Sequence, residues 1–222
     1  MSDIILILKK EWRSFAGSEK GVFAVYGILV FVWSFFPLYN APGSLAFGGA
    51  VWWLFFSVIV SGNFANAVFV SERMSGSMEI LLTCGFPRDS VLMGKIIFVM
   101  LMSVAIGGLC FGLSFVWIAV TGRVHFFAAE SLLFGALLYC AGTFMNAAAG
   151  AWMSIRLSSP RLIPFVNLLF VGLVFGIYCA LRSAVPVPVW LLVLFLAAAG
   201  IVFLLLAQKD FNGEKIIAPL DV

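Results

Sequence analysis

Long apolar runs dominate this sequence and decide what it can fold into. Six segments have about the length that a helix needs to cross a bilayer, which is roughly 20 residues. The chain is 64% hydrophobic and 10% charged, whereas soluble domains carry about 45–50% apolar and about 25% charged residues. Because it lacks the polar surface to fold in water, it is predicted to be an integral membrane protein. The predicted spans are residues 21–39, 45–70, 91–120, 131–155, 162–181 and 187–207.

These runs are predicted to be α-helices. A backbone in hydrocarbon must satisfy its hydrogen bonds internally, and barrel strands would alternate in polarity over about 10 residues, which these runs do not do. The expected fold is all-α, with six transmembrane helices in a single domain over residues 1–222. The first run is short unless Leu38 and Tyr39 extend it. The third is long, so its Lys95 end is expected at the membrane interface or beyond it.

Basic residues set the orientation of the chain. Short cytoplasmic loops of membrane proteins are enriched in Lys and Arg. With the N-terminus inside, 11 of the 13 basic residues fall on the inner side and only Arg123 and Arg182 on the outer side. Both termini, including a tail over residues 208–222, are therefore predicted to be cytoplasmic, with the chain in the cytoplasmic (inner) membrane. The net charge of +3 reflects this asymmetry and does not indicate nucleic-acid binding.

The first 20 residues contain "IILILKKEWRSF", which predicts an amphipathic helix in the membrane interface. Leu6 and Glu11 interrupt the pattern. The alternative is a basic flank that only sets topology. The predicted apolar face holds Ile4, Ile5, Leu8, Trp12 and Phe15, and the polar face holds Lys9, Lys10 and Arg13.

Residues that could carry catalysis or hold a metal ion are missing. Lys95 follows Gly94, but "LMGKII" lacks the remainder of a phosphate-binding loop. The one histidine, His125, has no second ligand nearby in the sequence. No catalytic residue, metal site or cofactor is expected on this chain. The cysteines, which form no C-x-x-C pair, are interpreted as small core residues: Cys84, Cys110, Cys140 and Cys179.

The stretch "SERMSGSMEILLTCGFPRDSVLMGK" places charge between two apolar runs. Ser75 or Gly76 can cap a helix of about eight to ten residues, far too short to span. Gly85 suits the position after its end, and Pro87 prevents continuation. The helix could dock on a cytoplasmic partner or simply lie on the membrane between two spans. Asp89 or Ser90 is expected to cap the next helix.

This stretch resembles the loop after the second span of ABC-2-type permeases, the membrane subunits of one class of ABC transporters. That loop has an acidic residue, then G-[ST]-[LIM]-E-x-L-L, a turn, and G-K entering the third span. "LKKEWRSF" is similar to their opening basic helix, and the small gliding-motility and drug-export types are nearest. The turn differs, with Cys84-Gly85 where many relatives have Pro. The matching residues are Glu72, Gly76, Ser77, Met78, Glu79, Leu81, Leu82, Gly94 and Lys95.

The resemblance implies a division of labour between subunits. Two copies of a separate ATPase would bind ATP and Mg²⁺, and two permease subunits, identical or related, would form the membrane part. Residues 76–84 would be the coupling helix, with Met78, Leu81 and Leu82 packing into the ATPase and Glu79 giving polar register. A scaffold that anchors the ATPase without moving cargo is the alternative. The nearly charge-free interior favours a lipid-like or amphiphilic substrate.

Amides and glycines within the spans have two interpretations each. The amides would line a polar entrance in the cytoplasmic half or, as is favoured, form interhelical hydrogen bonds. The pairs Gly108–Gly112 and Gly172–Gly176 indicate close helix packing first and a dimer seam second. The amides concerned are Asn63, Asn66, Asn146 and Asn167.

Overall fold

The structure, a computed structural model, describes residues 2–17, 20–35, 48–121, 129–156, 162–184, 188 and 190–211. Regular structure in these residues is entirely helical, which confirms the all-α prediction. The predicted parts at 36–39 and 45–47, His125, and the tail from 212 lie outside the described residues. The helices are α1 (Ser2–Ala16), α2 (Lys20–Trp33), α3 (Gly48–Ala65), α4 (Ser71–Met74), α5 (Ser77–Thr83), α6 (Arg88–Val120), α7 (Ala129–Arg156), α8 (Leu162–Ala184) and α9 (Trp190–Asp210), with a π-helical turn (Asn66–Val70) between α3 and α4.

Five helical segments are long and apolar enough to cross a membrane, so this is a multi-pass membrane protein. The first predicted span differs from the others. Its helix, α2, has 14 residues, which corresponds to about 21 Å at about 1.5 Å per residue and is less than the roughly 30 Å of hydrocarbon. The sixth span therefore remains a prediction. The five segments are Trp52–Arg73, Arg88–Val120, Leu133–Arg156, Phe165–Ala184 and Trp190–Asp210.

The centre of the bundle is α7, which packs extensively against α3 and α9. Its C-terminal half contains a run of small buried residues, 147–151. A Cβ atom added at Gly150 would lie 2.6 Å from the Cβ of Ala65 on α3. Small residues let helix backbones approach closely, and here they bring α3 and α7 together.

Helix α1 packs on α6. Ile7 is buried, and a Cβ added at Gly94 of α6 would lie 2.9 Å from its Cγ2 atom. Glu11, one turn later, is buried on the same side, whereas Ile5 and Trp12 are exposed. The predicted apolar face was therefore partly wrong, because α6 supplies a second surface that buries Ile7 and Glu11.

Turn chemistry around α5 follows the sequence closely. Gly76 and Gly85 have φ angles of +71° and +83°, a region that favours glycine. Gly85 follows the last turn of α5, as predicted. The cap of α6 was wrong: Pro87 is the N-cap, α6 begins at Arg88, and Asp89 lies in the first turn, where a carboxylate favours the helix dipole.

Candidate functional site

A buried ion cluster lies where α1, α4 and α6 meet. The ammonium of Lys95 on α6 is 2.8 Å from Glu11 Oε1 on α1 and also contacts Glu72 Oε2 on α4. It donates a third hydrogen bond to the carbonyl of Val68, at 3.0 Å. An ammonium has three donors, so these partners satisfy Lys95 completely. The Lys95 side chain is 0% exposed within the protein, and its position at the membrane interface or beyond it stays a prediction.

Lys10 completes this cluster from α1. Its ammonium contacts Glu72 Oε1 and lies 3.2 Å from Glu11 Oε1. The four charges of Lys10, Glu11, Glu72 and Lys95 therefore cancel. They tie the N-terminal helix to both ends of the charged stretch that follows α3.

The π-helical turn positions the acceptor that Lys95 uses. Such turns change the hydrogen-bonding register of a helix and are frequent at functional sites. Val68 lies within the turn Asn66–Val70, and its carbonyl receives the Lys95 hydrogen bond. The ammonium also lies 5.9 Å from the centre of the Phe69 ring. The turn thus brings backbone and side-chain partners to one buried cation.

Arg73 extends the network to the C-terminal end of α7. Its guanidinium donates to the carbonyl of Ser154 and, at 3.2 Å, to the carbonyl of Ile155. Carbonyls in the last turn of a helix lack intrahelical donors and attract cations. The segment 72–73 therefore links α1 and α6 on one side with α7 on the other.

Ser75, which precedes α5, and Ser77, its first residue, hold the start of this helix against α4. Ser75 and Ser77 donate to the carbonyl of Glu72 at 3.1 and 3.3 Å, and their hydroxyls are 2.8 Å apart. The carbonyl they share belongs to the residue whose carboxylate joins the ion cluster. The start of α5 is thereby connected to the cluster by short polar contacts.

The exposed face of α5 differs from the predicted one. Met78 is 2% exposed and lies in the core, and Leu82 packs partly against that core. The assignment of Met78 to a contact with another protein is thus wrong for this structure, because the side chain is already buried within the chain. Ile80 is 62% exposed, and Thr83 and Cys84 are also exposed. Glu79 and Leu81 are half-buried.

The four predicted amides do not form a hydrogen-bonded group. Asn146 and Asn167 are fully buried, and both amide atoms of each lack a partner among the described residues. Asn66 lies in the π turn, and its carbonyl oxygen likewise has no partner in the described part of the chain. Asn63 is exposed beside Phe165. The favoured interpretation, interhelical hydrogen bonding, is therefore not supported for Asn146 or Asn167.

Replacing Asn146 with leucine is expected to raise the free energy of unfolding by about 1 kcal/mol. A buried polar group without a partner costs about 1–3 kcal/mol, and leucine has a similar size. Asn63→Leu, at an exposed position, is the control and should change the value by less than about 0.5 kcal/mol. Thermal unfolding of both variants and of the unchanged chain, in the same detergent, measures these differences in stability. A loss of stability in Asn146→Leu would mean that the amide is hydrogen bonded in the membrane.

The two G-x-x-x-G pairs face outward. Cβ atoms added at Gly108, Gly112, Gly172 or Gly176 would meet no atom within 4 Å among the residues described. Close packing within the chain, the first interpretation of these pairs, is therefore wrong for this structure. These surfaces remain open to lipid or to a second subunit.

A second ion pair joins the C-terminal ends of α7 and α9. The guanidinium of Arg156 on α7 lies 2.7 Å from Asp210 Oδ2 on α9. The indole of Trp152 donates to the same oxygen at 3.0 Å. This contact holds α7 and α9 together at the end that also receives Arg73.

Sequence reasoning missed three residues of the site: Glu11, Arg73 and Asp210. Glu11 had a signal, since it is an acidic residue that interrupts the apolar and basic stretch "IILILKKEWRSF". Arg73 lay inside the charged stretch but outside the matching motif positions. Asp210 had no signal, because its importance depends on where α7 ends.

Comparison with known proteins does not assign this chain to a family. No family model matches the chain, and no curated protein is significantly similar to it in sequence.

Proposed function

We propose that this chain is the membrane subunit of an ABC transporter of the ABC-2 type. One observation supports this most: the motif residues Glu72 and Lys95, 23 positions apart, contact each other in the buried cluster. The cluster joins the two ends of the stretch that resembles the permease loop. A loop that received force from outside the membrane would need such a joint to transmit it to the helices.

The surroundings of α5 suit a mechanical role. Its start is hydrogen bonded to α4 through Ser75 and Ser77. Its end passes into α6 through a short turn at 84–87. Displacement of α5 would therefore move α3 and α6, and through Glu11 it would also move α1.

The partner surface in this proposal is the exposed side of α5. Ile80, Thr83 and Cys84 form it, with half-buried Glu79 and Leu81 at its margin. This replaces the face built on Met78. ATP and Mg²⁺ would bind to a separate ATPase, present in two copies, and this chain would hold no cofactor itself.

The remaining architecture is part of the same proposal. Helix α2 and the residues after it would supply the sixth span, with both termini in the cytoplasm and the chain in the inner membrane. The open glycine pairs support a second permease subunit packing on this one. A lipid-like or amphiphilic substrate would move across the membrane between the two.

Replacing Ile80 with aspartate tests this proposal. The chain is purified with the P-loop ATPase that accompanies it, and the pair is reconstituted in liposomes. We expect ATP hydrolysis by the complex to fall at least about tenfold, since a charge in an apolar contact costs more than the roughly 1.4 kcal/mol that tenfold represents. Thermal unfolding of the chain alone should be unchanged because Ile80 is exposed.

Leu162→Asp is the matched control, because Leu162 is an exposed apolar residue at the start of α8. It should leave hydrolysis unchanged. Absence of any co-purifying ATPase, or normal hydrolysis by the Ile80→Asp complex, would contradict the proposal. Hydrolysis that responds to Ile80→Asp but drives no transport of any lipid would favour the scaffold alternative.

A further inference from the structure

A cavity beside the ion cluster has a polar end and an aromatic end. Its volume is about 490 Å³, within the range of about 300–1,000 Å³ that small-molecule sites occupy. It lies between α1, α2 and the inner end of α3, with one wall from α6. Its lining comprises Lys10, Glu11, Ser14, Phe15, Tyr26, Phe64, Ala67, Val68, Ser71, Glu72, Ser75, Ser77 and Phe98.

The order of residues along α3 and α4 gives the cavity a direction. Phe64 on α3 and Ala67 in the π-helical turn come first, and Ser71 and Ser75 follow. Tyr26 stacks on Phe64 with ring centres 5.0 Å apart, and Phe15 lies 5.5 Å from the same ring. A ligand that fits this arrangement has an apolar tail and a polar head at the membrane surface.

Hydrogen-bond donors at the mouth of the cavity indicate which head group the ligand would carry. Lys10 has three donors and gives two to Glu72 and Glu11, so one remains. The hydroxyls of Ser14 and Ser71 bond to none of the described residues, and both serines are exposed. The two carboxylates that line the cavity are held by Lys10 and Lys95.

The charge near the mouth also favours an anion. The four charges of the ion cluster cancel, and Lys9 and Arg13 add positive charge to the two turns of α1 that carry Lys10 and Ser14. Oxygen atoms of a phosphate or carboxylate accept charge-assisted hydrogen bonds from ammonium and hydroxyl groups. We infer that the cavity binds an anionic amphiphile, with its phosphate or carboxylate head at Lys10, Ser14 and Ser71 and its acyl chain against Phe64 and Tyr26.

If this ligand is the transported cargo, that role rests on the proposed function. The binding site itself does not, because it belongs to one chain and needs no ATPase. Its test therefore uses the purified full-length chain alone. Failure of ligand binding and failure of ATPase coupling are then separate results.

The test is native mass spectrometry of the chain in detergent, titrated with four probes. These are oleate, oleoyl-lysophosphatidate, zwitterionic oleoyl-lysophosphatidylcholine and inorganic phosphate. We expect one oleate or lysophosphatidate per chain, bound at least about tenfold more tightly than the zwitterionic lipid because only the anions pair with the donors. Inorganic phosphate should not compete at equal concentration, since it has no tail.

Two substitutions locate the site. Ser14→Asp places a negative charge where the anionic head group of the ligand would bind. It should lower the affinity for both anionic lipids at least about tenfold. Ala67→Trp should abolish binding by filling the apolar end of the cavity, where Ala67 and Phe64 are part of the lining. Both positions are exposed, and thermal unfolding checks that each variant folds. The controls are Gln208→Glu and Ala198→Trp, which are exposed positions on α9 away from the cavity.

Three outcomes would overturn the inference. Equal binding of all lipids, unaffected by either variant, would mean annular lipid only. Effective competition by inorganic phosphate would mean a simple anion site. Equal affinity for the zwitterionic lipid, lost in Ala67→Trp, would mean an apolar pocket that does not select an anionic head.

Discussion

Replacing Lys95 with methionine is expected to lower the free energy of unfolding by about 3–5 kcal/mol, the usual cost of removing one partner from a buried ion pair. The loss arises because Glu11 would keep only Lys10 while staying 3% exposed. Glu72 would likewise lose its contact with a fully buried ammonium. The carbonyl of Val68 would lose its donor as well. Denaturant unfolding in detergent measures the change.

Two variants show whether the loss comes from uncompensated charge. Lys9→Met, on the exposed side of α1, should change stability by less than about 0.5 kcal/mol. A triple variant with methionine at positions 11, 72 and 95 should recover most of the stability, since apolar replacement of a whole buried ion group is often neutral. A loss below about 1 kcal/mol in Lys95→Met would mean that the cluster is solvated, in conflict with this account.

Gly150→Leu is expected to lower the free energy of unfolding by about 3 kcal/mol, at the upper end of the usual range for overpacking a core. The reason is the fixed neighbour: a Cβ at this position meets the Cβ of Ala65 at 2.6 Å. A Cβ atom cannot move without its backbone, so α3 and α7 would have to separate. Loss of that contact should also disturb the π turn that begins after Ala65.

Gly108→Leu is the matched control on α6. No described atom lies within 4 Å of a Cβ at that position. The free energy of unfolding should therefore change by less than about 0.5 kcal/mol. Self-association in detergent, followed by crosslinking, should decrease if the open glycine surface contacts a second subunit. Equal destabilisation by both variants would mean that contact between α3 and α7 does not explain the cost at Gly150.

The all-α fold could be predicted because it depends on the hydrophobicity of individual residues, summed over long segments. Five of the six predicted spans correspond to helices of spanning length. The turn glycines were also predictable, since the conformations of Gly76 and Gly85 are local. The first run is short unless Leu38 and Tyr39 extend it, and its helix ends at Trp33.

The site was harder to predict because its contacts join distant residues. Glu11 and Lys95 are 84 positions apart, and no local pattern pairs them. The buried face of α1 depends on Gly94 of α6, and the burial of Met78 depends on the core beneath α5. Helical periodicity identified apolar faces in both helices but not the surfaces that cover them.

Cys84 offers the most direct test of the central claim, that α5 faces the cytoplasm where an ATPase could reach it. It is the exposed cysteine among the four, while Cys110 is buried and Cys140 and Cys179 are half-buried. A maleimide that cannot cross membranes is applied to inside-out and right-side-out vesicles, with Cys84→Ser as the control. Labelling of Cys84 only in inside-out vesicles is the predicted result. Labelling only in right-side-out vesicles would put α5 on the opposite face and contradict the transporter proposal.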